Sequence, residues 1–568
     1  MNSKKLLPSD FVRHLEKSKP YIVPMGGCGE FGMNLTCYIF QKKIIIVDAG
    51  SLFPDQRKLG VSSIIPSLHH SIFESMPILA YMITHGHEDH IGAVPYLFRD
   101  FPAPIYAPTW AIELLKNRFK EQGLDMSALH PIKGPTTVQI APFSVEYIHV
   151  NHSIPHSYSF LIKCGNYSFF HSGDFKIDRT GFDEKPVNLS YLKKIGDEGV
   201  DLFLCDSTNA HRPGPTPSEQ EVVEPMRQIL ASTTGRVFVA TFSSNLTRLK
   251  TICELCRELK KKLIVCGKSL KRALEVGMKL NMLDDMPFMY FEEESAKVRL
   301  DPSCVILTTG CQGEFRSALY RIAMGEHRGI KIKENDLVVF SSSVIPGNEK
   351  NIIAITDHLK KQGARVIGSK ENPKIHVSGH AYQDDISTFY ELLKPRVFIP
   401  VHGDFAQQQA NQSKQTPNAQ KQKSLMMENG DLVAVTKEQV SILGRLDFDR
   451  LYVDDGSYLP MGKKLLDERL KIGELGLLSL DGVVHKTSRR WARGPFITSF
   501  GVAVPKKFSP DQWKKHLEKK VLELFDISSR ETMPSQEELN EFLRQDMRKY
   551  LEKLTRKKPV LISKIWLI

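Results

Sequence analysis

A short apolar run from Ile78 to Thr84 leads directly into His85-Gly86-His87-Glu88-Asp89-His90, and that junction constrains the fold more than any other feature of the chain. In an extended turn, side chains at i and i+2 point the same way, so His85 and His87 face one point. Asp89 and His90 follow at the expected start of a helix, Ile91 to Phe98. Imidazoles with a carboxylate, and no thiolate, suit Zn²⁺ or Mn²⁺ rather than a closed Cys-rich structural zinc. A chance histidine cluster in a surface loop is the bland alternative, and the H-x-H-x-D-H order after an apolar strand speaks against it. Two ions need more ligands than one loop holds. The candidates that each follow a strand-like run are His152 in Asn151-His152-Ser153, Asp174 in Ser172-Gly173-Asp174 and His402 in Pro400-Val401-His402-Gly403. One carboxylate between two cations holds them roughly 3.5–4 Å apart, and Asp174 is the residue expected to bridge.

The rest of the chain supplies a frame for such strand ends. Tyr38 to Val47, Ile78 to Ile83, Phe160 to Phe170 and Leu202 to Cys205 read as strands, with a helical pattern at Trp110 to Phe119. Pro213 to Glu219 is a proline-rich break. Beyond it Glu221 to Ala231, Arg236 to Ala240, Leu246 to Leu259 and Lys262 to Cys266 alternate helix and strand, which implies an inserted α/β unit on a parallel sheet. The strand Val397 to Val401 returns to the earlier pattern. Ala406 to Lys423 is rich in Gln, Asn and Lys without an apolar face, and is expected to be exposed. Near the end, Ser509 and Ser535 each open a helix with a capping sequence; Trp513, Leu517, Val521, Leu524 and Phe525 form one apolar stripe, and Leu539, Phe542, Leu543, Met547, Tyr550, Leu551 and Leu554 the other. A strand, Val560 to Ile568, follows. The expected divisions are 1–213, 214–373, 374–447, a linker at 448–462, and 463–568.

Composition narrows the setting. At 41% hydrophobic and 25% charged residues the 568-residue chain is globular. It has no apolar run long enough to span a bilayer and no apolar segment behind its basic first residues, and its nine cysteines lack paired spacing. A cytoplasmic location without membrane attachment is expected. The net charge is +12, and from Met461 onward 23 basic residues face 14 acidic ones, compatible with a polyanionic partner. Ser243-Ser244-Asn245, between a strand and a helix, could hold phosphate on free N–H groups and hydroxyls; Thr309 to Gly313, Ser341 to Ser343 and the stretch His376-Val377-Ser378-Gly379-His380 extend such a pocket. Cys253 and Cys256 read as helix-face residues. The basic run His485 to Trp491 reads as a solvated loop, with contact to RNA or a neighbouring subunit as the alternative.

In this order the residues resemble the metallo-β-lactamase fold, whose early structural aspartate is similar to Asp48 in Ile46-Val47-Asp48-Ala49-Gly50. The long insertion between Asp174 and His402 resembles the β-CASP nucleases. The match narrows to the ribonuclease J family through GGCGEFGMN (26–34), VDAGSLFPD (47–55), THGHEDHIGAVPYL (84–97), NHSIP (151–155), SGDFKID (172–178), DSTNA (206–210), SSN (243–245), TGCQGE (309–314), IPGNE (345–349), HVSGHA (376–381) and PVHGD (400–404). The resemblance implies an α/β chain: a metallo-β-lactamase αββα sandwich, an inserted β-CASP domain and a small C-terminal α/β domain through which the family dimerises. It implies two Zn²⁺ (or Mn²⁺) per chain, one on His85, His87 and His152, the other on Asp89, His90 and His402, with Asp174 bridging. It assigns proton transfer to Asp206 and His380, and substrate contacts to Ser243, Ser244, Asn245, His376, Val377, Ser378, Gly379 and His380. The implied activity is 5′-to-3′ exonuclease and endonuclease cleavage of single-stranded RNA in maturation and decay, by a homodimer or homotetramer, with other RNA-decay proteins such as a helicase as partners. Rival readings are a β-CASP nuclease acting on DNA or mRNA 3′ ends, thioester or lactam hydrolysis, and an inactive RNA-binding scaffold. The sequence departs from the family pattern at Met33, His156 and His171, and in the Gln-rich stretch after PVHGD.

Overall fold

A computed structural model describes residues 15–54, 60–182, 184–284, 286–292, 301–345, 347–415, 423–454, 459–525 and 533–568. Their packing divides the chain into two compact units, 1–53 with 63–450 and 54–62 with 451–568.

The larger unit carries two facing sheets. One has eight strands in the order Val440–Arg445, Asp431–Val435, Tyr21–Gly26, Leu35–Phe40, Lys43–Val47, Ile78–Met82, Ile105–Pro108, Leu129–Ile132. The other has seven, in the order Lys423–Ser424, Val397–Val401, Leu202–Asp206, Tyr167–His171, Ser157–Cys164, Phe143–Val150, Thr136–Ile140. Ile45 and Met82 of the first sheet and Tyr147, Phe160, Leu204 and Ile399 of the second share one apolar core. Leu192 and Ile195 of the helix Leu189–Glu198, with Ile386 and Phe389 of Gln383–Leu393, cover the second sheet's outer face. Near the site the strands run parallel: Lys43–Val47 beside Ile78–Met82, and Leu202–Asp206 between Tyr167–His171 and Val397–Val401. Their carboxyl ends therefore meet at one edge, where Asp206 ends its strand and Asp48, His85, Asp174 and His402 follow theirs. Ligand sites of open α/β sheets lie at such ends.

The insertion is a wholly parallel six-stranded sheet ordered Met289–Phe291, Leu263–Cys266, Val305–Thr308, Val237–Ala240, Leu337–Phe340, Arg365–Ile367, with an apolar core on each face. In the smaller unit, strands Trp491–Phe500, Leu477–Val484 and Val560–Leu567 form one sheet. The helices Pro510–Leu524 and Gln536–Thr555, each opened by a formed capping box, bury Trp513, Leu517, Val521, Leu539, Leu543, Met547 and Leu551 with it.

Several expectations need correction. Tyr38 to Val47 is a hairpin, turning at Gln41 and Lys42, both left-handed at φ 53° and 57°; no glycine or asparagine marks that turn. Phe160 to Phe170 is likewise two strands. The helix expected at Ile91 to Phe98 is two pieces, Glu88–Ile91 and Val94–Asp100. The expected linker contains the strand Arg450–Asp454, whose Tyr452 and Val453 pair with Met461 and Pro460. A helix, Lys463–Leu475, follows it. The Gln-rich stretch forms the helix Phe405–Gln415, and its Gln408, Asn411 and Gln415 are buried. Amides replace the apolar stripe there: Asn411 Nδ2 donates to Asp206 O at 3.1 Å and to Ser207 Oγ at 3.0 Å. Residues 416–422 of that stretch lie outside the described residues.

Candidate metal centre

Backbone contacts fix the loop His85–His90 before its side chains act. Ala49 N–H donates to His90 O at 2.8 Å, Ser51 N–H to Glu88 O at 3.0 Å and Asn34 N–H to Asp89 O at 2.9 Å. Gly50 is required by this packing, since a Cβ there would lie 1.6 Å from Asp89 O. Asp48, left-handed at φ 58°, accepts from His90 Nδ1 at 2.7 Å, from Thr84 N–H at 2.8 Å and from Thr84 Oγ1 at 2.8 Å.

The outer nitrogens of the histidines all meet acceptors. His152 Nδ1 lies 2.7 Å from Gly379 O, a carbonyl that can only accept. With its own proton given to Asp48, Thr84 Oγ1 accepts from His85 Nδ1 at 2.9 Å. Thr208 Oγ1, whose proton goes to Asp206 Oδ1, accepts from His402 Nδ1 at 2.8 Å. His87 Nε2 lies 3.0 Å from Ser244 Oγ. With protons on the outer nitrogens, the inner ones present lone pairs. His87 Nδ1 is 3.0 Å from His85 Nε2 and 3.1 Å from His152 Nε2. Asp174 Oδ2 stands 3.5 Å from the Nε2 atoms of His85 and His152 and 3.3 Å from that of His90. Asp174 Oδ1 is 3.6 Å from His402 Nε2, which is 3.2 Å from Asp89 Oδ2.

Two ligand groups result, His85, His87, His152 with Asp174, and Asp89, His90, His402 with Asp174. Asp174 Oδ1 is buried without a hydrogen-bond partner. Lone pairs at these separations repel unless a cation lies among them, and imidazole with carboxylate is a donor set for Zn²⁺ or Mn²⁺. The residues therefore fit a metal cofactor. Burial pushes His87 down to about 4 and His85 and His152 well below the ordinary imidazole value, so all three are neutral at pH 7. Burial alone would raise Asp174, but His402, His90, His380 and His85 together hold it ionised. Without a cation, the carboxylates draw protons onto His90 and His402, overcoming burial; a cation would take the place of those protons.

Beside this centre lies a third group, Asp174, Asp206, His380 and His402. His380 Nδ1 donates to Asp206 Oδ2 at 2.8 Å. Asp206 Oδ1 accepts from the N–H and Oγ1–H of Thr208 at 2.9 and 2.7 Å. Both Asp206 oxygens are thus engaged, and the residue is 1% exposed.

The expected substrate residues fall into different settings. Ser378 Oγ accepts from Asn209 Nδ2 at 2.7 Å and His380 N–H at 3.2 Å, which leaves its own proton for another acceptor. Gly379 permits a close approach, because a Cβ would sit 2.6 Å from Ser153 Cβ. Burial, then the charge of Arg248, pushes His376 down to about 3, so it is neutral at pH 7. Val377 packs its side chain into the insertion's core, leaving only backbone for substrate. Asn245 departs from the expected phosphate contact. Its Oδ1 caps the helix Leu246–Glu258 by accepting from Arg248 N–H at 2.9 Å, and its Nδ2 donates to Glu219 at 3.2 Å. Ser243 and Ser244 stand at the turn before that helix.

Other singled-out residues are structural. His171 is a buried histidine paired with Tyr38 Oη at 2.9 Å. His156 is left-handed at φ 57°, contacts Thr109, and joins no ligand group among the described residues. Cys253 and Cys256 are buried in the core, their thiols held protonated by burial. Trp491 packs 4.6 Å from Phe525, centroid to centroid, partly buried against the module's core rather than a free aromatic. A fourth cluster, Cys266, Glu292 and His327, lies in the insertion. His327 Nδ1 accepts from Gly329 and Ile330 N–H, so the proton sits on Nε2, 3.0 Å from Glu292. Thr208, Asn411 and Thr84 were not singled out in the sequence, because hydroxyls and amides one step behind ligands carry no spacing signature.

Three family models match the chain: the metallo-beta-lactamase superfamily over residues 35–268, the ribonuclease J beta-CASP domain over 234–359, and the Zn-dependent metallo-hydrolase RNA specificity domain over 372–416. Ribonuclease J of Helicobacter pylori strain J99 is 34% identical over 556 residues, covering 96% of this chain and 79% of that protein. Ribonuclease J of Mycolicibacterium smegmatis is 33% identical over 549 residues, 96% of each. Ribonuclease J 1 of Streptococcus pyogenes is 33% identical over 489 residues, 86% of this chain and 87% of that protein. Among solved structures, a protein of unknown function from Enterococcus faecalis V583 superimposes with a TM-score of 0.51 at 12% identity, over 73% of this chain and 100% of that one, a likeness of fold.

Proposed function

The chain belongs to the ribonuclease J family, and from that premise we propose how its residues carry out metal-dependent RNA hydrolysis. The observation that carries the reading is the pair of ligand groups sharing Asp174, with the Asp206–His380 pair beside them. His85, His87 and His152 would hold one divalent ion and Asp89, His90 and His402 the other, with Asp174 common to both groups; Zn²⁺ and Mn²⁺ both suit these donors. Ions held there would supply Lewis acidity toward the phosphodiester and activate water as a nucleophile at neutral pH. His380 Nε2 gives its proton to the departing 3′ oxygen, with Nδ1 fixed on Asp206, so products carry 5′ phosphates. Residues 1–213 and 374–447 form the metallo-β-lactamase part, 214–373 the β-CASP insertion and 463–568 the C-terminal module. Matched RNA and DNA single strands test the substrate: turnover confined to RNA is expected, and equal turnover would favour the DNA-acting alternative.

The enzyme works 5′ to 3′ from a monophosphate end, with internal cleavage as a second mode. The Ser378 hydroxyl proton, the Gly379 turn and the hydroxyls at 243–244 suit a terminal phosphate dianion and would crowd a triphosphate. Ser378→Ala should narrow the rate advantage of 5′-monophosphate over 5′-hydroxyl RNA by about tenfold, the order of one hydrogen bond to a charged group; an unchanged ratio would exclude this pocket.

The C-terminal module joins copies of the chain and grips RNA. Its sheet leaves Phe496, Phe500, Ile562 and Trp566 40–66% exposed, an apolar face that a second copy would cover, and 23 basic residues stand from Met461 onward. Removing the module should give a metal-binding monomer with weaker affinity for long RNA and a shallower salt dependence. Sedimentation and RNA binding over a salt series check this; an intact dimer with an unchanged salt slope would refute it. The same reading places the protein in the cytoplasm; no helix among the described residues is long and apolar enough to cross a membrane.

A further inference from the structure

Two of the three histidines in the first ligand group meet the turns proposed to bind substrate, one at Ser244 in the insertion and one just beyond it at Gly379. His87 Nδ1 faces the ligand cluster, so its proton lies on Nε2, 3.0 Å from Ser244 Oγ. His152 Nδ1 gives its proton to Gly379 O at 2.7 Å. Both turns hang from one buried ion pair. Arg248, 0% exposed, binds Glu219 through Nε at 3.0 Å and Nη2 at 2.9 Å. Glu219 accepts from Asn245, the neighbour of Ser244, at 3.2 Å. Arg248 Nη1 donates to Ile375 O at 3.2 Å, at the start of the stretch that leads to Gly379, and Ser341 Oγ donates to the same carbonyl at 2.7 Å.

A serine hydroxyl has one proton to give and lone pairs to receive. With a lone pair of Ser244 Oγ receiving from His87, its single proton is left for an acceptor on the other side. A phosphate oxygen of RNA bound at this turn is such an acceptor, since an ionised phosphate oxygen has no proton to offer. We propose that Ser244 is a positioning residue that links the substrate phosphate to the ion on His85, His87 and His152, so that RNA and that ion bind with positive coupling. The inference rests on the two-ion reading above. Partners that orient a ligating histidine typically contribute 10–100-fold to metal affinity. Coupling between two ligands is reciprocal, so RNA that orders the Ser244 hydroxyl must tighten the ion by the factor by which the ion tightens RNA.

The test is Mn²⁺ titration of the metal-depleted full chain, with and without a 5′-phosphorylated RNA whose linkages resist cleavage. The wild-type chain should bind two ions, one of them more tightly when RNA is present. Ser244→Ala should weaken one ion about 10–100-fold, leave the other in place and abolish the tightening by RNA. Ser244→Thr, which keeps the hydroxyl, should restore both properties. A wild-type isotherm for Ser244→Ala, equal weakening of both ions, or RNA tightening that survives in Ser244→Ala or is missing from the wild type would each overturn the inference. A wild-type chain that binds fewer than two ions would overturn the two-ion reading itself, and the inference with it.

Discussion

Replacing Asp174 by alanine should remove both metal ions and reduce RNA turnover beyond the ~10²–10³-fold typical of losing one electrostatic donor in an active site. Among the described residues no other side chain belongs to both ligand groups. Its Oδ2 serves His85, His90 and His152 within 3.3–3.5 Å, and its Oδ1 faces His402 at 3.6 Å with no hydrogen-bond partner of its own. Without that carboxylate the two sets of lone pairs have no shared anion. Metal analysis of the purified variant checks the claim: full occupancy would show that the two sites are independent of Asp174.

The second large effect concerns proton transfer. His380→Ala and Asp206→Asn should leave RNA affinity near that of the wild type and lower turnover by about 10²–10⁴-fold, the range of general acid–base assistance. The two substitutions act differently. His380 has Nδ1 fixed on Asp206, which leaves Nε2 to carry the transferable proton, whereas both Asp206 oxygens are engaged by His380 and Thr208. Asp206 is therefore the group that orients the acid. Burial works against protonation of His380, but the charges of Asp206 and Asp174 and the hydrogen bond to Asp206 hold its pKa above the ordinary value. The protonated imidazole is the working form, so the rate falls as pH rises through that pKa. Removing the Asp206 charge lowers the pKa, and the alkaline limb of the pH–rate profile should move to lower pH in Asp206→Asn. An unmoved limb, or near-normal turnover in both variants, would remove the pair from the proton-transfer step.

The ligand groups were legible in the sequence because metal chemistry writes itself in few residue types. His85 to His90 form a dense cluster behind a strand, and His152, Asp174 and His402 each follow another strand, so parallel strand ends bring them together. The insertion was legible from its helix–strand alternation. What escaped was whatever depends on pairing rather than on pattern. The hairpin at Gln41 and Lys42 has no turn-forming residue, because the pairing of Leu35–Phe40 with Lys43–Val47 imposes its left-handed backbone. The helix Phe405–Gln415 has no apolar stripe, because its buried face is made of amides; Asn411 is tied to backbone and hydroxyl oxygens beneath Asp206. Asn245 and Ser244 are adjacent in a phosphate-like motif, yet one caps a helix and the other meets His87 of the first candidate metal group. Only the fold separates those roles.

Metal stoichiometry measured together with RNA turnover tests the central claim most directly. The metal-depleted chain is titrated with Mn²⁺ while cleavage of a 5′-monophosphorylated RNA is followed. Two ions per chain should bind, turnover should appear only as the second site fills, and the released nucleotides should carry 5′ phosphates. Full turnover with one ion bound, or in a thoroughly chelated sample, would contradict the account.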